Sequence, residues 1–455
     1  MNGDRGFRDR GNGGKRMAHI RVVIRRCDNI VRAAAIACLL PVFSLAGTPY
    51  DITTDLVNNM PEEKTGAMAS LRPGPVLAAD MKVAGLLSDN RIPLESFRET
   101  AKAASDGYFL WPKPEDLSAK DAIPPLTGLT RLYRLALLDA AFRMSVNQPR
   151  EAEKDLLAVA GLLGQLAHQG SGLLAKQMYL QLCFQRAYPL LELSVREKRA
   201  SPVYLTELSL RLAAVENAQN GMESAFQDEK EFYGALFEKF RSQKLPLSTR
   251  LYVRFTSDTG FKDSVIASAK ASLEEEARVY IDAVRTNSPE KIPAYREKTG
   301  KELKERAAAR DRRGWWAVFM DAVRGGDENH KHMVQKAADK LLAAERPAYA
   351  ELVPRYYVFM SHLRVLRAGL ALNRYRRDRR RPPAGLEKLV PAYLAEVPAD
   401  PYNNYQPLTY MKSGKCFTVY AFGPDKKSDK ASAPFDWESY FKDASKNSGD
   451  IIFRN

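Results

Sequence analysis

Leu363-Arg-Val-Leu-Arg-Ala-Gly-Leu-Ala-Leu-Asn-Arg-Tyr375, running on through Arg376-Arg-Asp-Arg-Arg-Arg381 into Pro382-Pro383, is the stretch that decides the fold. Leu363, Leu366 and Leu370 recur at helical spacing. The two prolines, which lack an N–H and clash with the preceding turn, stop the helix. Beyond them the period changes. Leu408–Lys412 and Cys416–Phe422 are apolar or β-branched runs joined by Ser413-Gly-Lys415, which reads as a hairpin, and Ile451-Ile-Phe453 supplies an edge strand. Asp400-Pro401 and Asn403-Asn404 are turn formers. Residues 355–455 therefore read as a small α+β module, one helix laid on a short antiparallel sheet. Leu366, Leu370, Leu386, Leu389, Val419 and Tyr420 are expected in or beside its core. Strand alternation sends Val419 and Tyr420 to opposite faces, so both are not expected to be fully inside.

Upstream the pattern is helical. Leu129, Leu132, Leu135, Leu138 and Phe142 mark one amphipathic helix, and Ala152, Leu156, Val159, Leu163 and Leu166 a second after Asn147-Gln-Pro149. Such a pair has the outline of a tetratricopeptide-like hairpin. No second copy with the same period follows, so an ordinary helical hairpin is the reading. A third helix runs from Leu173 to about Arg196, and Ser201-Pro202 caps a fourth. The segment Leu245–Lys262 reads as a linker, Trp315-Trp316 as a buried anchor, and Pro354 as the break before the module's helix. The fold class is mainly α: a body of helical hairpins, in parts 126–245 and 246–354, followed by the module. Residues 47–125 read as irregular with short helices.

Of 455 residues, 45% are hydrophobic and 27% charged, the balance of a folded chain rather than a disordered one. The net charge is +15, and residues 1–32 hold nine Lys/Arg against three Asp. That basic stretch leads into Ala33–Ala46, which has no charged residue. Fourteen residues of helix span about 21 Å, short of the ~30 Å hydrocarbon core, so the segment suits a signal peptide better than a membrane span. Ser44-Leu-Ala46 places small residues before Gly47. Residues 1–46 are thus read as a leader or anchor, and the protein as extracytoplasmic. Outside them, Cys183 and Cys416 are read as two buried thiols rather than a disulfide.

No catalytic signature is present. The sequence has no Gly-x-Ser-x-Gly elbow, no phosphate-binding glycine loop and no dinucleotide fingerprint. His330-Lys-His332 lacks metal-ligand spacing on a helix and reads as a solvated helix start after Asp327. The run Arg374, Arg376, Arg377, Arg379, Arg380 and Arg381 is a candidate anion-binding site. It also suits a helix C-terminus, where positive charge meets exposed carbonyls.

Leu386-Glu-Lys-Leu-Val-Pro-Ala-Tyr-Leu394, Val397-Pro-Ala-Asp-Pro-Tyr402, Leu408-Thr-Tyr410, Phe417-Thr-Val-Tyr420 and Phe422-Gly-Pro-Asp425 follow one another in order. Together they resemble the periplasmic domain of the major pseudopilin of type II secretion, over about a fifth of the chain. The resemblance implies a helix packed on a short sheet and a calcium-binding loop after the glycine. Asp425 matches the family's first aspartate, with Asp429 and Asp436 as partners by position. Gly6-Phe7 is followed by Arg8-Asp-Arg-Gly11 with no glutamate and no apolar filament helix, so the resemblance extends to the module and not to filament assembly. A large helical body carrying this module also resembles a group of exported bacterial proteins of unknown activity.

The expectation is a non-enzymatic, exported envelope scaffold or interaction protein, associated with a type II secretion or pilus-like system. Calcium is its one candidate cofactor. Its expected partners are envelope proteins, together with anionic polymer or lipid headgroups; nucleic acid is disfavoured outside the cytoplasm. The alternatives are an extracytoplasmic enzyme with its site in the helical body, or an anionic-polymer binder acting through Arg374–Arg381.

Overall fold

The computed structural model describes residues 75–102, 126–168, 174–245, 259–286, 327–345 and 352–455, apart from 198, 219, 220, 444 and 445, together with 73, 253 and scattered positions between 288 and 305. The expected leader and cleavage site, Trp315-Trp316 and the side chain of His332 lie outside them. Among the described residues no helix is long and apolar enough to cross a membrane.

Local chemistry sets the helix boundaries. Asp80 caps α1 (Met81–Asp89), its carboxylate accepting from the Lys82 and Val83 amides, and α2 (Arg91–Lys102) follows at once. Between α3 (Leu126–Ser145) and α4 (Pro149–His168), Asn147 takes a left-handed conformation (φ 61°), which asparagine tolerates, and Pro149 opens the next helix. After α5 (Leu174–Arg196), the Ser201 hydroxyl accepts from Tyr204 N to start α6 (Pro202–Asn217), as the sequence implies. Then come α7 (Gly221–Glu238), α8 (Phe261–Thr286), α9 (Asp327–Glu345) and α10 (Leu352–Arg379). Pro354 is not a break. It lies in the first turn of α10, where its missing N–H has no helical partner to lose.

Helix α4 is the centre of the body, with α2, α3, α5 and α6 packed around it. Leu156, Val159, Leu162, Leu163 and Leu166 are completely buried there. A smaller second core forms where Phe237, at the end of α7, meets Phe261, Val265 and Ile266 of α8 and Val334 and Ala338 of α9.

Seventeen of the 28 residues of α10 are buried, on every side of the helix. A helix apolar all round must be enclosed, and α10 is enclosed by α5 and α6 on one flank and the sheet on the other. The sheet has the order β1 (Thr409–Ser413), β2 (Cys416–Ala421), β3 (Ile451–Arg454), all antiparallel, with Val419 opposite both Tyr410 and Phe453. Phe453 lies so close to α10 that a Cβ on Gly369 would fall 2.6 Å from its ring.

Leu366, Leu370, Leu386, Leu389 and Val419 are buried as expected. Tyr420 corrects the alternation argument, because it too is only 3% exposed. The loop after Gly423 folds over the second face of β2, and the Tyr420 hydroxyl lies 3.1 Å from the Ser428 hydroxyl. Among the described residues Cys183 and Cys416 are free, and of the two only Cys183 is buried. Cys416 is exposed because it opens β2 at the hairpin turn, opposite Ser413.

One aromatic joint fastens module to body. Trp437, which opens the short helix α11 (Trp437–Lys442), stacks on His362 of α10 at 4.0 Å between ring centres, with Phe184 and Tyr188 of α5 alongside. His362 donates to the Val358 carbonyl (2.8 Å), and burial pushes its pKa down to about 3, so it is neutral at physiological pH. It acts here as an aromatic wall.

Candidate functional site

Two buried aspartates hold the module's loops. Asp400 accepts from Tyr402 N (2.9 Å) and Phe422 N (2.8 Å), tying the Asp-Pro turn to the end of β2, and burial pushes its pKa up to about 6. Asp450 accepts through Oδ2 from Asp429 N (3.0 Å) and Ala431 N (2.7 Å). Gly423 is needed beside it, since a Cβ there would fall 2.1 Å from the Gly449 carbonyl oxygen.

The three aspartates expected to bind calcium occupy this neighbourhood in different roles. Asp425 accepts from Lys427 N in a local turn (3.1 Å), Asp429 reaches Asp450 through its backbone amide, and Asp436 caps α11 by accepting from the Ser439 amide and hydroxyl. Among the described residues no group of three or more His, Cys, Asp or Glu side chains is placed to hold a metal ion. Calcium needs six to eight oxygens, and the carboxylate of Asp436 is committed to its helix. The residues as placed do not fit that ion.

The arginine run divides in two. Arg374 lies over the Tyr393 ring, Arg376 donates to Asn455 Oδ1 (2.6 Å), and Arg377 donates to the carbonyls of Glu197 (2.9 Å) and Ala200. These three are half-buried fasteners, whereas Arg379, Arg380 and Arg381 are exposed.

Sequence reasoning missed a dense group of buried charges in the body. Arg98 of α2 donates through Nε to Asp155 of α4 and through Nη2 to Asp139 of α3, both at 2.6 Å. Arg143 adds a third bond, to Asp139 Oδ1 (3.0 Å). Asp155 is completely buried, and burial pushes its pKa up to about 7. Its Oδ2 has no donor, but a proton on that oxygen would complete a bond to the neighbouring Asp139 carboxylate. Arg98, Asp139 and Arg143 line a cleft of about 610 Å³ between α1, α2, α3 and α4, and a second of about 530 Å³ continues between α2 and α6. Both are of ligand size. The group clamps three helices and holds a proton near neutral pH. Its sequence signal was faint: Asp139 is a lone acid inside an apolar run, and Asp155 looks like the last of the charged residues that open α4.

Comparison with protein-family models, with curated proteins and with solved structures gives no match for this chain.

Proposed function

We propose that this chain is a non-enzymatic, exported envelope protein whose helical body presents a pseudopilin-like module to the protein components of a secretion or pilus-like assembly. The observation that carries the reading is how the module is held. Its helix, α10, is a structural helix of the body, and Trp437 packs against Phe184 and Tyr188 of α5, so the module shares the body's core and does not hang from a hinge. A presented interaction surface needs that rigidity, because a partner then binds without ordering a hinge. Further support comes from the ordered run of short motifs, and from the buried aspartates that fix the loops between them. Fractionation of the native host, with cross-linking and N-terminal sequencing, tests the reading. The expected result is a mature chain beginning at Gly47 in the extracytoplasmic fraction, cross-linked to envelope assembly proteins. A chain retaining Met1 in the cytosol would overturn it.

A second reading, an extracytoplasmic enzyme, is favoured by Arg98 and Asp139, which line the cleft and join it to the buried Asp155, since clustered ionisable groups at clefts are candidates for active sites. A small molecule that raises the melting temperature of wild type but not of Arg98→Gln would support it. Equal shifts in both proteins would count against it.

A further inference from the structure

Five segments end together where α10 stops. Arg377 ties α10 to the α5–α6 turn through Glu197 and Ala200, and Arg199 of that turn donates to Asn147 between α3 and α4. Arg376 bonds Asn455 and lies 5.9 Å from the centre of the Phe417 ring, which sets the β1–β2 turn and the end of β3 beside it. The arginine turn is pinned from below: the Tyr410 hydroxyl donates to the Pro383 carbonyl (2.9 Å) and Lys412 Nζ to that of Pro382 (3.2 Å). Arg199, Arg379, Arg380, Arg381, Lys412 and Lys415 are exposed there. Three of the acids in the same segments are already engaged, and the Glu197 carboxylate lies near Arg377. Asp378 accepts from the Tyr393 hydroxyl, Glu192 pairs with Arg196, and Glu153 accepts from Ser201 and Arg150. One apolar side chain, Val203 (74% exposed), stands in the same α5–α6 segment as Arg199.

We propose that this end of the molecule is a docking face for an anionic lipid surface. Anionic headgroups attract clustered Lys and Arg, and an apolar side chain beside those charges can enter the headgroup region. The six cations come from three separate segments, and none of them lines either cleft. That arrangement meets a broad surface rather than gripping a strand in a groove. Arg379, Arg380 and Arg381 lead into Pro382-Pro383, whose carbonyls are held by Lys412 and Tyr410, so the backbone that carries them is ordered before docking. The inference goes beyond the scaffold reading and does not depend on the module's likeness to a pseudopilin.

The test is sedimentation of the full chain with vesicles of phosphatidylcholine, with and without phosphatidylglycerol, at low and high salt. Wild type is expected to bind the phosphatidylglycerol vesicles more tightly, with the excess lost in salt. Losing a cation near such a surface weakens binding on the order of fivefold, so Arg379→Gln/Arg380→Gln/Arg381→Gln should lose on the order of a hundredfold. Lys415→Gln, on a different segment, should lose a smaller factor. Every sample carries the same N-terminal stretch, so the difference between wild type and variant isolates the face, and matched melting curves exclude misfolding. Unchanged binding by the triple variant overturns the proposal. So does equal affinity for neutral vesicles, or binding of soluble polyphosphate or single-stranded DNA that phosphatidylglycerol vesicles do not displace.

Discussion

Asp155 shows at the scale of one residue what burial does to a carboxyl group. Its pKa rises from the ordinary value near 4 to about 7 because the ionised form would lose water in the interior, despite Arg98 alongside. The native state then holds a proton that the unfolded chain releases near pH 4. Its stabilising effect is complete below that pH and is lost as pH rises through about 7. Asp155→Asn keeps a neutral side chain and should flatten this dependence. Relative to the variant, wild type is expected to lose up to ~4 kcal/mol of stability between about pH 4 and pH 7, at ~1.4 kcal/mol per unit. His362, whose lowered pKa makes both proteins less stable in acid, is common to the pair and cancels in the difference. Melting curves across this range check the expectation, and parallel curves would refute it. Nothing in the sequence reveals the effect, because a burial shift depends on which three helices meet, and the 3.6-residue pattern does not report that.

Among elements, α10 and its sheet were the legible part. Leucines at helical spacing, two prolines and an alternating hairpin are local signals, and each strand formed within a residue or two of its expected place. What stayed hidden was contact between distant segments. Glycine at 369 looks like a weak point in a helix, costing about 1 kcal/mol relative to alanine. In the fold it is where the Phe453 ring of β3 presses on the helix backbone. Gly369→Ala should therefore destabilise the protein by roughly 1–3 kcal/mol through overpacking, despite its better helix propensity. The measurement is a urea midpoint, with Phe453→Leu as a second change expected to recover part of the loss. A midpoint that rises in the single variant would show that the ring gives way freely. The two-faced burial of β2 was hidden for the same reason: the loop that covers Tyr420 is held by Asp450, far along the chain.

For the whole molecule, the boundary drawn at residue 355 marks a change of pattern in the sequence but no gap in the core. Buried residues of α1 to α6, α10 and the sheet form one continuous apolar cluster. Glu216 of α6 takes both Arg364 and Arg367 of α10, and Arg364 continues to the Ala399 carbonyl (2.9 Å) ahead of the Asp-Pro turn. Residues 355–455 expressed alone should therefore collapse without fixed packing, since Phe184, Tyr188 and the α6 face would be missing. The expected sign is a poorly dispersed amide spectrum with weak near-ultraviolet dichroism. A sharp, well-dispersed spectrum would instead establish the module as self-sufficient.

Asn373 gives that shared core a practical meaning. Its side chain donates to the Val195 carbonyl of the body (3.1 Å) and accepts from Asn455 at the end of the sheet. A single position thus answers to two sets of neighbours, and so does most of the helix around it. Transplanting the C-terminal hundred residues onto another helical protein would carry one compatible flank and one foreign one. Because α5 and α6 in turn pack on α4, the unit that keeps every flank of α10 is the body and the sheet together, not the stretch that begins where the sequence changes character.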